Sequence, residues 1–411
     1  MQASDVLVGL DIGTTKVTAV IGEYDENDRL QIIGIGTAPS TGLRRGVVVN
    51  IEATLKSVDA AVEAAEQMAG REVGSVVTGI AGGHIEGLNS RGVVAVTGRG
   101  REIAQTDVDR VIDAAKAVVI PMDREVLHVI PQEYIVDEQG GIKNPLDMIG
   151  VRLEAEVHII TGSVTSAQNL VKCVNRAGFK VESLILESLA SSRAVLTREE
   201  QELGVLLIDL GGGTTDMLVH IDGAPYYTSV LPVGGAQITN DLSIMLKTPM
   251  EAAERIKREA GCCYAPMVEE GEPVIIPGVG GRPPLQAKRS DIANIIQPRM
   301  AEILTMVRDK VQKKGHLKRL FGGVVLTGGG ALMPGAVELA QEVFHTAARV
   351  GMPGNYHGVV DSYRSPEYST GVGLVLFAED TMGRRGSEAA VKPKSNGVLE
   401  GLRTWLRNFF E

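Results

Sequence analysis

Residues 205–216 read Val-Leu-Leu-Ile-Asp-Leu-Gly-Gly-Gly-Thr-Thr-Asp, and residues 6–16 read Val-Leu-Val-Gly-Leu-Asp-Ile-Gly-Thr-Thr-Lys. Both follow one order of residue types: an apolar strand, an aspartate, a glycine turn and two threonines. A second β-rich run follows each, over residues 17–23 and 217–221. Each stretch therefore predicts a strand–turn–strand hairpin with a polar tip. Asp11 and Asp209 lie 198 positions apart, so the pair reads as a duplicated domain whose two tips face each other.

The tips carry phosphate-binding chemistry. Glycine lets the backbone approach an anion closely and point successive N–H groups at it. Gly13, Thr14, Thr15 and Lys16 would hold the outer phosphates, with Lys16 as a point charge; Gly211, Gly212, Gly213, Thr214 and Thr215 would cradle them from the other side. Asp11 and Asp209 would repel phosphate directly, so a metal ion with its waters must stand between, and Mg²⁺ suits carboxylate oxygens and retained water. No P-loop spacing occurs, and no G-x-G-x-x-G opens a helix after a strand. A third glycine cluster, Gly328, Gly329 and Gly330, follows an apolar strand and precedes a helix from about Gly335. Three glycines leave room for a flat group such as a base and ribose.

The 411 residues suggest two to four domains. A net charge of −10 argues against nucleic-acid binding. Cys173, Cys262 and Cys263 form no disulfide or zinc pattern and read as reduced thiols, favouring the cytosol. No secretion signal and no apolar run long enough to span a bilayer is present, so membrane contact would be peripheral.

The tail supplies that contact. On a helix at about 100° per residue, Val398, Leu399, Leu402, Trp405, Leu406, Phe409 and Phe410 fall within roughly 140° of arc, with Arg403 and Arg407 on the other face. The stripe holds the chain's one tryptophan and two of its six phenylalanines. Residues 383–411 carry six basic against three acidic side chains, which suits an anionic lipid surface. From this stretch alone, docking on its own domain or in a partner's groove stays open.

Two Asp–Gly–Thr hairpins followed by a late strand and a triple-glycine turn resemble the actin, sugar-kinase and heat-shock ATPase superfamily. More closely, residues 11–17 (DIGTTKV), 82–96 (GGHIEGLNSRGVVAV), 128–162 and 186–196 (LESLASSRAVL) are similar to the bacterial cell-division FtsA family. Ser188, where proline is expected, and the Gly/Pro-rich residues 271–284 depart from it locally. The resemblance implies an α/β, actin-like fold: two ribonuclease-H-like domains around a nucleotide cleft, with inserted subdomains and a C-terminal amphipathic helix. It implies domain 1A at 1–82, 161–200 and 366–382, inserted subdomain 1C at 83–160, and domain 2A at 201–240 and 297–365. Subdomain 2B would be 241–296, the tether 383–397 and the membrane-targeting helix 398–411. Within 1C, Thr106 and Asp109 read as a capping box for a helix to about Val118.

The same resemblance implies site roles. Glu187 would face metal-bound water and share water positioning with Asp209. Glu254, Lys257 and Arg258, at helical spacing after Pro249, would approach ribose and adenine, with Gly234, Gly235 and Gly328–Gly330 lining that side. The implied cofactors are ATP and Mg²⁺, with at most slow hydrolysis, since no arginine finger is evident. The implied partners are FtsZ, further copies in a filament, an anionic membrane surface and later divisome membrane proteins, at the cytoplasmic face of the inner membrane. Another actin-like scaffold, PilM- or MreB-like, or a kinase or ATPase of the same fold stays open. A PilM would lack the terminal helix, an MreB would lack the insertion, and no sugar-pocket aspartate is found.

Overall fold

The computed structural model describes residues 6–382 apart from 28, 98, 270, 272, 355, 356 and 359–362. The expected tether at 383–397 and the expected membrane-facing residues Val398, Leu399, Leu402, Arg403, Trp405, Leu406, Arg407, Phe409 and Phe410 lie outside the described residues.

Each quoted stretch forms the hairpin its composition dictates. Leu7–Ile12 pairs antiparallel with Lys16–Tyr24, and Leu30–Pro39 adds a third antiparallel strand. Ser75–Ile80 runs parallel to Leu7–Ile12, and Lys180–Leu186 runs parallel to Ser75–Ile80. The second half repeats this order. Val205–Leu210, Thr215–Ile221 and Ala224–Leu231 form the meander, and Val324–Thr327 and Ala348–Val350 add parallel strands on the other side. The central strands are continuous apolar runs because helices cover both sheets. Ile51–Ala69 buries Val58, Ala61, Val62 and Ala65, and its N-cap Asn50 accepts a 3.0 Å hydrogen bond from the Ala53 N–H.

Between the halves runs Glu187–Val195, packed against Ser369–Met382. A Cβ on Gly373 would lie 1.8 Å from the Ala190 carbonyl oxygen, so the two backbones touch there and only glycine fits. The long helix Arg289–Lys313, with Pro298 inside it, runs through the expected 296/297 division.

The insertion builds its own core. Helix Gln105–Lys116 packs on an antiparallel sheet of Glu86–Ala95, Arg152–Ser163 and Arg124–Val136, with Gln139–Ile142 at the edge. The capping-box reading needs correction. The helix starts two residues earlier than Thr106 implies, after Ala104, and the Asp107 carboxylate, not Asp109, accepts from the Ala104 N–H at 3.2 Å. Two Asp residues satisfy the same kind of spacing; Asp107 is the buried one, its other oxygen held by Thr97 and Arg110. Glu86 pairs with Ser229 on the edge strand of the second domain, so the insertion extends that domain's sheet to nine strands. The seam is polar: His158 Nε2 meets Thr228 Oγ1 at 2.9 Å, and the Gln132 amide donates to the Pro225 carbonyl at 3.0 Å.

Candidate functional site

The two tips have the same backbone. The Gly13 N–H donates to the Lys16 carbonyl at 3.0 Å, and the Gly211 N–H to the Thr214 carbonyl at 3.0 Å. Asp11 sits opposite Thr18 in one ladder, and Asp209 opposite Asp216 in the other. Position for position, Thr14 and Thr15 therefore match Gly212 and Gly213, Lys16 matches Thr214, and Thr18 matches Asp216. The two threonine pairs are not spatial equivalents, as reading by residue type suggested. Thr215 begins the second strand, and its hydroxyl is spent on the Val233 carbonyl at 2.9 Å.

Steric need explains the substitution. The tips meet: a Cβ on Gly212 would lie 2.2 Å from Thr15 Cγ2, and one on Gly213 2.4 Å from Thr14 Oγ1. Thr14 Oγ1 also accepts from the Gly46 N–H at 3.1 Å.

Below the tips lie four carboxyls. Asp209 is buried, and its Oδ2 accepts from Ser191 Oγ at 2.7 Å and Thr370 Oγ1 at 3.2 Å. Burial pushes its pKa up, while these hydroxyls and Lys16 oppose the shift. Asp11 rises to about 7, mainly by burial; Lys16 lowers it and the Asp209 charge raises it. Asp216 rises to about 8 through burial and then the charges of Asp209 and Asp11, and its Oδ1 has no hydrogen-bond partner. Burial, then Asp11, Asp216 and Asp209, holds Glu187 well above the usual carboxylate range. A Cβ on Gly79 would fall 2.8 Å from Glu187 Cγ, so Gly79 makes the space Glu187 occupies.

Such a cluster fits a hydrated cation. A dication would relieve the mutual repulsion and meet the unpartnered Asp216 oxygen. Among the described residues no three His, Cys, Asp or Glu side chains form a direct coordination shell, so waters would have to complete one. Lys16 Nζ lies 2.8 Å from Glu367 Oε2 and 4.3 Å from the centre of the Tyr368 ring.

On the far side, the N–H groups of Gly235 and Ala236 donate to the carbonyls of Gly211 and Gly212 at 2.9 and 2.8 Å, which fixes the second tip. Gly234 N–H donates to the Gln237 side chain. Lys257 Nζ donates to the Gly235 carbonyl at 3.2 Å, Thr239 Oγ1 at 2.9 Å and Glu254 Oε2 at 2.6 Å, so Glu254 and Lys257 converge on the Gly234–Gly235 turn. Arg258 is 73% exposed at its side chain and turns back to Glu254. Gly328 has φ 78° and its Cβ would sit 2.2 Å from Asp209 Oδ1; a Cβ on Gly330 would meet Leu210, while Gly329 faces open space. Ser191, Asp216, Glu367 and Thr370 join the site without being evident from the sequence. Only Asp216 had a signal, its place in the repeat.

The family model described as "Cell division protein FtsA" matches residues 206–373, and the one described as "SHS2 domain inserted in FTSA" matches 82–161. The chain is 48% identical over 413 residues to cell division protein FtsA of Borreliella burgdorferi, covering 98% of this chain and 100% of that protein. It is 45% identical to the Pseudomonas aeruginosa FtsA (100% and 99% covered) and 41% identical to that of Escherichia coli K12 (100% of both). Among solved structures it resembles a PilM–PilN type IV pilus biogenesis complex (TM-score 0.64, 16% identity, 90% of this chain and 98% of that one). It also resembles MreB5 of Spiroplasma citri bound to ADP (0.56, 15%, 93% and 99%). Identities this low show the fold alone, which is actin-like.

Proposed function

The chain belongs to the FtsA family of cell-division proteins, and from that premise we propose that it is an ATP-binding, membrane-attached scaffold that ties FtsZ filaments to the inner face of the cytoplasmic membrane and helps recruit later division proteins. The division into 1A, 1C, 2A and 2B with a tethered helix belongs to the same reading. The observation that carries nucleotide binding is the pair of matched tips in contact beside four interacting carboxyls.

In this reading Gly13–Lys16 and Gly211–Thr214 present backbone N–H groups and hydroxyls to the phosphates, and Lys16 adds its charge. Asp11 and Asp209, with Asp216 beside them, would hold Mg²⁺ through water; bound there, the ion would neutralise the outer phosphates. Glu254, Lys257 and the glycines at 234–235 and 328–330 would take the nucleoside. Asp209 already accepts from two hydroxyls, and burial, then the charges of Asp11, Asp216 and Asp209, disfavours the charged form of Glu187, so neither carboxyl is well placed to take a proton from water. Turnover should be slow, with nucleotide acting as a conformational or assembly ligand; steady turnover faster than about 1 s⁻¹ would contradict this.

No described helix is long and apolar enough to cross a membrane. The seven apolar side chains of 398–411, at about 1.5–3 kcal/mol each, gain about 10–20 kcal/mol gross. Ordering fourteen residues at about 1–2 kcal/mol each consumes a similar amount. One tail should bind weakly and reversibly, and a filament presenting many should hold by avidity. Pelleting with FtsZ and anionic phospholipid vesicles tests the whole. Trp405→Glu or loss of 398–411 should abolish vesicle binding and leave FtsZ binding intact; undiminished vesicle binding would sink the anchor.

A further inference from the structure

Lys16, the one cation on the first tip, is gripped by two adjacent residues from the far end of the chain: Glu367 at 2.8 Å and the face of Tyr368 at 4.3 Å. Both lie on the short turn Pro366–Tyr368. That turn also reaches the second hairpin and the Gly328 turn. The Pro366 carbonyl accepts from the Gly328 N–H at 3.1 Å and from Thr327 Oγ1 at 3.3 Å, and Ser369 Oγ lies 2.7 Å from Thr327 Oγ1. Thr370 Oγ1 donates to Asp209 at 3.2 Å and meets Ser191 Oγ at 2.9 Å. Five consecutive residues thus touch the first tip, the second hairpin and the nucleoside-side turn. They lead straight into Ser369–Met382, the helix after which the chain continues to residues 383–411.

Resting on the nucleotide reading above, we infer that Glu367 and Tyr368 form a displaceable clasp on Lys16, so that a triphosphate must take the lysine from Glu367, and the exchange registers at the start of the last helix. A carboxylate and a phosphate drawn to one ammonium repel each other, and the more highly charged anion wins. The pair is open enough to break, with 28% of the Lys16 side chain and 34% of Glu367 exposed. A pair that exposed is cheap to lose, so Glu367 acts as a modest threshold, and diphosphates, with less charge to offer Lys16, should leave the clasp closed.

The test is affinity plus backbone exchange, on the full chain with Mg²⁺. Wild type, Glu367→Gln and Tyr368→Leu are titrated with a non-hydrolysable ATP analogue and with ADP, and hydrogen exchange is followed over residues 365–372. Glu367→Gln should bind the triphosphate about two- to five-fold more tightly, with little or no gain for ADP, and Tyr368→Leu should fall between it and wild type for the triphosphate. In wild type the triphosphate should speed exchange at 365–372, and in Glu367→Gln that segment should exchange fast without nucleotide. Unchanged or weaker triphosphate binding by Glu367→Gln, or exchange indifferent to nucleotide in wild type, overturns the clasp alone. A wild-type chain that binds neither nucleotide overturns the cleft reading as well.

Discussion

At the first tip the turn positions are Thr14, Thr15 and Lys16; at the second, on the same backbone, they are Gly212, Gly213 and Thr214. One tip carries bulk and charge, and the other is stripped to backbone at Gly212 and Gly213, keeping only the Thr214 hydroxyl. The asymmetry follows from contact: the tips meet, so only one can bear side chains at the crossing. One step further in, the inequality reverses. Thr18 and Asp216 are equivalent, both are buried, and each has an oxygen without a partner, but only the second is ionisable. A duplicated hairpin has thus become a cation tip facing an acidic floor.

The largest effect should come from the charge on the first tip. Lys16→Ala should weaken ATP by about ten- to a hundred-fold, the worth of a hydrogen bond to a charged group, about 1.5–3 kcal/mol. Thr214→Val at the matching position should cost about 0.5–1.5 kcal/mol. Equal losses in calorimetric titration would erase the claimed division of labour.

Next is the steric asymmetry. Gly213→Ala should lose about 1–3 kcal/mol of stability through overpacking against Thr14, and Thr14→Gly added to it should recover most of that. Denaturant melts of the single and double variants measure the coupling; simple additivity would show that the tips do not press on each other.

The smallest effect concerns Thr18 and Asp216. A carboxyl whose folded pKa is raised to about 8 binds more protons folded than unfolded, so stability falls as pH rises towards 8. The buried histidines His128, His158 and His220 have pKa values lowered to about 4, 3 and 3 by burial, and they remove stability as pH falls towards and below about 6.5. His84 and His316 are lowered in the same sense, so the histidine contribution fades by about pH 7.5, and between about pH 7.5 and 8.5 the carboxyls set the slope. Without metal and nucleotide, Tm should drop across that window, less in Asp216→Asn. Thr18→Val should be within about 1 kcal/mol of wild type at every pH.

Much of the fold was legible because a strand–turn–strand hairpin is decided locally. An apolar run, an aspartate and glycines in sequence leave one compact solution, and finding it twice gave the two halves. The pairing of the tips differs from the sequence pattern by two positions: residue type matches Thr-Thr to Thr-Thr, whereas space matches Thr14 and Thr15 to Gly212 and Gly213. Ser191, Glu367 and Thr370 carry no local signal: a serine inside a helix and a glutamate on a turn become site residues only when chain folding brings them to Asp209 and Lys16. The docking of the insertion on the second domain's edge strand was equally invisible, resting on one ladder pair and a few side chains.

A crystal structure of the full chain with Mg²⁺ and a non-hydrolysable ATP analogue tests the central claim most directly. The account predicts phosphates between residues 13–16 and 211–214, the metal beside Asp11, Asp209 and Asp216, and the base against residues 328–330. Nucleotide bound on one tip alone, or outside this cleft, would contradict it.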